Sequence, residues 1–280
     1  MNNITNDANL VFFAGSTLLE GPRWSDELNL LLCVSIEQER IFLIDVDTQT
    51  IETFKTHGQV GFAVFKDCKK IIYAAYNGVY EVDITTKEEK FLFQANQNKT
   101  LRYNDGDFDP TGRLLLGTTG YKRFAKEENC LYSSKLDGSD LKIIVDKTSI
   151  SNGIAFSPDS KYLYFIDTPT KKVGRYNYDI STGDCVFDKY VVEISGGGLP
   201  DGMCIDSDGY IYVAEWGGGR VCKWNPQTGE CLKVYPVPVK NVSSCTIGGK
   251  NHDILYITTA KHDDGTASEI GAGGLFKVEL

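Results

Sequence analysis

The feature that most constrains this chain is an internal repeat. A polar residue followed by glycine opens an apolar strand. A turn containing Asp, Pro-Asp or Gly comes next, then an aliphatic and aromatic strand, a strand ending in Asp, a Thr-Gly-type turn and a fourth strand. One copy reads Asn152-Gly153-Ile154-Ala155-Phe156-Ser157-Pro158-Asp159, and another Asp201-Gly202-Met203-Cys204-Ile205-Asp206-Ser207-Asp208. The openings lie at Glu20, Val60, Asp105, Asn152, Asp201 and near Ser244, with spacings of 40, 45, 47, 49 and 43 residues. A unit this small cannot bury its apolar faces alone, but six around one axis can. The expectation is an all-β protein, a six-bladed β-propeller of four-stranded antiparallel blades, with residues 1–280 forming one domain. Leu10 to Ala14 should pair with Gly274 to Val278 and close the ring. No repeat ends in the Trp-Asp pair of WD40 blades, and kelch repeats are missing. Helical periodicity is confined to a turn or two around Lys122 to Asn129.

Composition agrees with such a fold and removes several functions. Hydrophobic residues make up 41% and charged residues 24%, ample for a core and unlike a disordered chain. A net charge of −9 argues against nucleic acid and anionic membrane as partners. The longest apolar run, Ile71 to Tyr76, falls far short of the ~18–20 residues a membrane helix needs. Met1 to Asp7 lacks the basic start and apolar stretch of a secretory signal. The eight cysteines form no C-x-x-C pair and mostly lie in apolar strand-like runs, which points to a reduced, cytoplasmic protein. The sequons at Asn3, Asn98 and Asn241 then read as chance matches.

If the first strand of each unit lines the channel, the opening residues share one ring position. Asn-Gly and Asp-Gly are common turn formers, yet Glu20, Asp105, Asn152 and Asp201 converging on one axis is a stronger pattern. Carboxylates crowded in a narrow channel repel unless a cation sits among them. Oxygen donors without thiolate or imidazole favour a hard ion. His57, His252 and His262 open no repeat, so neither a His-based triad nor a Cys/His zinc site has support.

The ordered motifs carry a resemblance. Glu20-Gly21-Pro22-Arg23-Trp24, Arg102-Tyr103-Asn104-Asp105-Gly106 with Asp109-Pro110-Thr111-Gly112-Arg113, Ser151-Asn152-Gly153, Pro200-Asp201-Gly202, Gly217-Gly218-Gly219-Arg220 and Gly248-Gly249-Lys250-Asn251 follow one another as in the SMP-30/gluconolactonase family. That family includes insect luciferin-regenerating enzymes. The resemblance implies a propeller hydrolase with one divalent cation, Ca²⁺ first and Zn²⁺, Mn²⁺ or Mg²⁺ as alternatives. By motif match, Glu20, Asn152 and Asp201 correspond to its metal ligands, and Arg102 and Asn104 to residues that bind a sugar lactone. Asp105 is not among the family's direct ligands and reads as a pocket carboxylate.

The activity implied is opening of an aldonolactone to the hydroxy acid. Asp201 is the expected catalytic base and Asp105 the alternative. Arg102 would orient sugar hydroxyls, unless it forms an ion pair with Asp105 or Asp107. Where animal members have an acidic residue touching the sugar, this chain reads Gly117-Thr118-Thr119-Gly120-Tyr121-Lys122, so Tyr121 is taken as a substrate contact. Phosphotriester cleavage and a non-enzymatic calcium-binding propeller are the rival readings. The partner expected is a small lactone, the protein itself being a monomer or weak dimer.

Overall fold

A computed structural model describes residues 8–261 and 269–280. The sequence readings at Met1 to Asp7, including Asn3, and at His262 lie outside them. Four-stranded antiparallel sheets follow one another around a ring. Blade one is β2 (Leu19–Ser25), β3 (Leu30–Ser35), β4 (Arg40–Asp45) and β5 (Thr50–Lys55). Blade two is β6 (Val60–Phe65), β7 (Lys70–Ala75), β8 (Gly78–Asp83) and β9 (Glu89–Phe93). Blade three is β10 (Leu101–Phe108), β11 (Leu114–Gly120), β12 (Asn129–Ser134) and β13 (Lys142–Thr148). Blade four is β14 (Ser151–Phe156), β15 (Tyr162–Asp167), β16 (Lys172–Asp179) and β17 (Asp184–Glu193). Blade five is β18 (Leu199–Ile205), β19 (Ile211–Trp216), β20 (Arg220–Asn225) and β21 (Glu230–Pro236).

Blade six is assembled from both ends of the chain. β22 (Val242–Gly248), β23 (Ile254–Thr259) and β24 (Leu275–Glu279) are completed by β1 (Asn9–Phe12), with Asn9 opposite Lys277. This is the closure expected from the sequence. The first strands β2, β6, β10, β14, β18 and β22 contact one another in turn and form the inner ring.

Burial explains the patterning. The second strand of each blade is covered on both faces, so it reads as a continuous apolar run, as in Ile71-Ile72-Tyr73-Ala74-Ala75 of β7. The fourth strands are mostly exposed and mixed in polarity, as in β21. The core is divided into wedges between neighbouring blades rather than gathered at one centre. Leu32, Val34, Val60 and Tyr73 fill the wedge between blades one and two, and Leu19, Leu31, Phe42 and Tyr256 the wedge between six and one. Trp24 stacks on Tyr256 at that seam, ring centroids 5.6 Å apart.

One local expectation is corrected. Lys122 to Asn129 holds no helix; Lys122 and Glu127 both take positive φ, 58° and 55°, which breaks a helical run, and Asn129 already begins β12. The helical piece among the described residues is a single 3₁₀ turn, Thr168–Thr170. The Asn-Gly and Asp-Gly openings follow the inner-strand reading rather than turn chemistry. They sit inside inner strands at β-bulges, where the pairing register slips between Glu20 and Arg23, Asn152 and Ile154, and Pro200 and Met203. A bulge re-aims side chains out of the regular alternation.

Candidate functional site

These bulges build a cavity of about 250 Å³ at one end of the channel. Glu20, Asn152 and Asp201 line it from blades one, four and five, together with Arg102, Asn104 and Thr119 from blade three. Leu18, Ile150, Leu199 and Trp216 add an apolar wall. The glycine after each polar residue allows the blades to approach. A Cβ on Gly153 would lie 2.9 Å from the Asp201 carbonyl oxygen and 2.5 Å from Ile166 Cδ1.

One hydrogen-bonded chain fixes the polar wall. Arg102 Nη1 donates to Asn104 Oδ1 at 2.8 Å, and Asn104 Nδ2 donates to Asn152 Oδ1 at 2.8 Å. Asn152 Nδ2 donates to Thr168 Oγ1 at 2.8 Å. Asn104 Nδ2 also donates to the Ser151 carbonyl at 3.0 Å. Each amide is thereby oriented, with the Asn152 oxygen turned towards Asn104. The Asp201 carboxylate, by contrast, accepts no hydrogen bond and closes no ion pair among the described residues. Glu20 Oε2 accepts from the Gly21 N–H at 3.0 Å.

The electrostatics are unbalanced. Burial, reinforced by the Asp105 charge, pushes the Glu20 carboxyl up to about 8. Burial and then the Glu20 charge raise Asp201 well above the ordinary carboxylate value. Arg102 is pulled down to about 10 by burial, against the stabilising charge of Glu20.

The structure separates residues the sequence grouped together. Asp105 is buried but does not line the cavity: Asn104 and Asp105 lie together in the β10 bulge between Tyr103 and Gly106, and Asn104 is the one the third blade presents. Asp105 Oδ1 accepts from Gly106 N–H at 2.8 Å and from Arg23 Nη2 at 3.3 Å. The expected alternative partner of Asp105 and Asp107, Arg102, is thus replaced by Arg23, whose Nε is 3.1 Å from Asp107 Oδ2. Val60 and Ser244 also stay out of the lining. Tyr121 follows the lining residue Gly120, with its ring against Tyr76 at 4.5 Å. Sequence reasoning missed Thr168 and Trp216, which come from β15–β16 and the end of β19. The only signal for Trp216 was its place before the Gly217-Gly218-Gly219 run.

The donor set suits a hard divalent cation. Glu20, Asp201 and Asn152 offer oxygens only, and burial raises both carboxyls, so a cation among them would compensate the charge that burial disfavours. No three His, Cys, Asp or Glu side chains form a metal-binding group among the described residues, which leaves Asp105 outside the set.

Residues 18–261 match the SMP-30/Gluconolactonase/LRE-like region. The chain belongs to this family. It is 34% identical over 266 residues to "Putative sugar lactone lactonase YvrE" of Bacillus subtilis (strain 168), covering 93% of this chain and 90% of that protein. Human regucalcin is 32% identical over 270 residues, covering 92% of this chain and 89% of regucalcin. A luciferin-regenerating enzyme structure superposes with a TM-score of 0.87 at 25% identity, over 96% of this chain and 94% of that one. Membership of the SMP-30/gluconolactonase family accords with the motif order and with the six-bladed ring. No helix among the described residues is long and apolar enough to cross a membrane.

Proposed function

We propose that this protein hydrolyses a sugar lactone of the aldonolactone class to its hydroxy acid. The observation that carries the reading is the convergence of Glu20, Asn152 and Asp201 with Arg102 and Asn104 around one cavity. Glu20, Asn152 and Asp201 would hold the divalent cation, with Ca²⁺ favoured by the all-oxygen set. When bound, such an ion supplies Lewis-acid polarisation of a carbonyl oxygen.

The chain's own groups do the rest. Asp201, free of hydrogen bonds, is placed to accept the proton of an attacking water at its carboxylate. Asp105 is a poorer base, because its Oδ1 is committed to Arg23 and Gly106. Arg102 keeps Nε and Nη2 without partners among the described residues, so it can donate to sugar hydroxyls or the ring oxygen. Asn104 spends its Nδ2 hydrogens on Ser151 and Asn152. Its role towards substrate is therefore as an acceptor, through the remaining lone pair of Oδ1. Trp216, Ile150 and Leu199 face the apolar edge of the ring, and Tyr121 borders the mouth. We place the protein in the cytoplasm, a reading supported by eight free thiols.

The test is a lactone panel followed by acid release, with and without EDTA and with Ca²⁺, Mg²⁺, Mn²⁺ or Zn²⁺ restored. Turnover that disappears with chelation and returns with metal is expected. Ion binding with no turnover of any lactone would favour a calcium-binding propeller without catalysis, and turnover restricted to phosphotriesters would favour the other hydrolase reading.

A further inference from the structure

We propose that Cys204 and Cys245 form an oxidisable dithiol, a modification site for small disulfide oxidants of the glutathione type, which closes into a disulfide between blades five and six. Their sulfurs lie 3.8 Å apart, the only two thiols in contact among the described residues. Cys204 is on β18 and Cys245 on β22, the inner strands of adjacent blades. These strands nearly touch. A Cβ on Gly202 would fall 2.1 Å from Ser244 Oγ and 2.8 Å from Ser244 Cα. The two sulfurs must close from 3.8 Å to the ~2.05 Å of a disulfide, between strands already in contact.

Access differs between them, and that sets the order of events. Cys204 is half-buried and lines a cavity of about 600 Å³ with Asp206, Tyr212, Thr246, Ile247 and His252, at the end of β18 away from Asp201. Cys245 is fully buried, its Sγ 3.4 Å from the Tyr212 carbonyl oxygen. Burial, reinforced by the Cys204 sulfur beside it, holds the Cys245 thiol well above its ordinary value, so it keeps its proton until Cys204 has been modified.

Cys204, losing its proton to solvent, attacks one sulfur of oxidised glutathione. The glutathione S–S bond breaks, and one glutathione leaves as a thiolate that takes up a proton. Cys245 sulfur then attacks Cys204 Sγ, releasing the second glutathione, which carries away the Cys245 proton. Two protein thiols are oxidised and one glutathione disulfide is reduced to two thiols. The new bond spans 41 residues and ties the blade carrying Asp201 to the blade in which the chain ends meet.

The full-length, metal-loaded protein is incubated with oxidised glutathione under native conditions, its remaining thiols are alkylated, and peptides are mapped by mass spectrometry. A Cys204–Cys245 cross-linked peptide is expected, with two of the eight thiols lost. In Cys245→Ser the reaction should stop with glutathione on Cys204, and Cys204→Ser should yield no cross-link. The mapping of the unsubstituted chain decides the matter even where a variant folds poorly. If Cys204 and Cys245 remain alkylatable while exposed Cys231 takes glutathione, the proposal fails. A stable mixed disulfide on Cys204 in the unsubstituted chain overturns the pairing as well.

Discussion

Removing the Asp109 carboxylate should weaken the whole ring, because one buried side chain joins two blades. Asp109 Oδ1 accepts from Thr111 N–H, Thr111 Oγ1 and Arg113 N–H, each at 2.8 Å. Its Oδ2 accepts from Arg113 Nη1 at 2.7 Å and from the Tyr178 hydroxyl at 2.6 Å. Tyr178 belongs to β16, so the contact crosses from blade three to blade four. In Asp109→Ala, Arg113 and Tyr178 lose their buried acceptor. Losing a buried carboxylate that accepts five hydrogen bonds costs about 3–5 kcal/mol. Each bond to a charged group is worth about 1.5–3 kcal/mol, less where half-buried Arg113 regains water and keeps the Ile180 and Ser181 carbonyls. At about 2 °C per kcal/mol for a chain of this size, the melting temperature should drop by roughly 6–10 °C.

The pH dependence has a definite sign. Burial raises the Asp109 carboxyl, but hydrogen bonds from Tyr178, Thr111 and Arg113 outweigh it and hold the group below its ordinary value. A depressed folded value means that the stabilisation is complete above the unfolded value, about 3.9, and is lost as pH falls through the folded value. Urea unfolding of both proteins from pH 7 down to pH 3 measures it: the gap should be full at pH 7 and narrow below about pH 4. A gap under about 1 kcal/mol at pH 7, or one unchanged at pH 3, would refute the reasoning.

Other consequences are open to measurement. Because Glu20, Asn152 and Asp201 come from three blades, a divalent ion should bind the folded form selectively and raise the melting temperature with concentration; no shift across millimolar Ca²⁺, Mg²⁺ and Mn²⁺ and micromolar Zn²⁺ would count against a bridging site. Gly153→Ala should lower both stability and turnover, since its Cβ would strike the Asp201 carbonyl oxygen and Ile166, and calorimetry beside a lactone assay reads both. With Tyr121 where animal relatives have an acidic contact nearby, gluconolactone should hold no more than a ~100-fold advantage in kcat/KM over pentonolactones and unsubstituted lactones; a larger preference would show the acceptor role filled from elsewhere.

What could be read from the sequence follows from where each constraint lies. The repeat was legible because glycine is required wherever inner strands meet, as at Gly153 and Gly202, and because middle strands covered on both faces are unbroken apolar runs. The ring closure was legible for the same reason. The period grouped Glu20, Asn152 and Asp201 with Asp105, and only the motif resemblance set the first three apart as ligands. Asp105 shares the period, but in the third blade the bulge presents Asn104 to the cavity while Asp105 accepts from Arg23. That pairing spans 82 residues and has no local signal, and neither does Thr168 capping the Asn152 amide. The helical pattern from Lys122 to Asn129 misled because charged residues on a propeller rim can mimic it, while two positive-φ positions hold the segment in turns.

The account centres on Asp201 acting together with a divalent ion in the cavity. The most direct measurement is the rate of acid release from the preferred lactone by metal-loaded Asp201→Ala, set beside the metal-loaded and EDTA-treated unsubstituted protein, with circular dichroism confirming the fold. The rate should fall by at least ~10³ in the variant, the scale of losing a main electrostatic contact to the transition state, and comparably on chelation. Full turnover by Asp201→Ala, or by the EDTA-treated unsubstituted protein, would contradict the account.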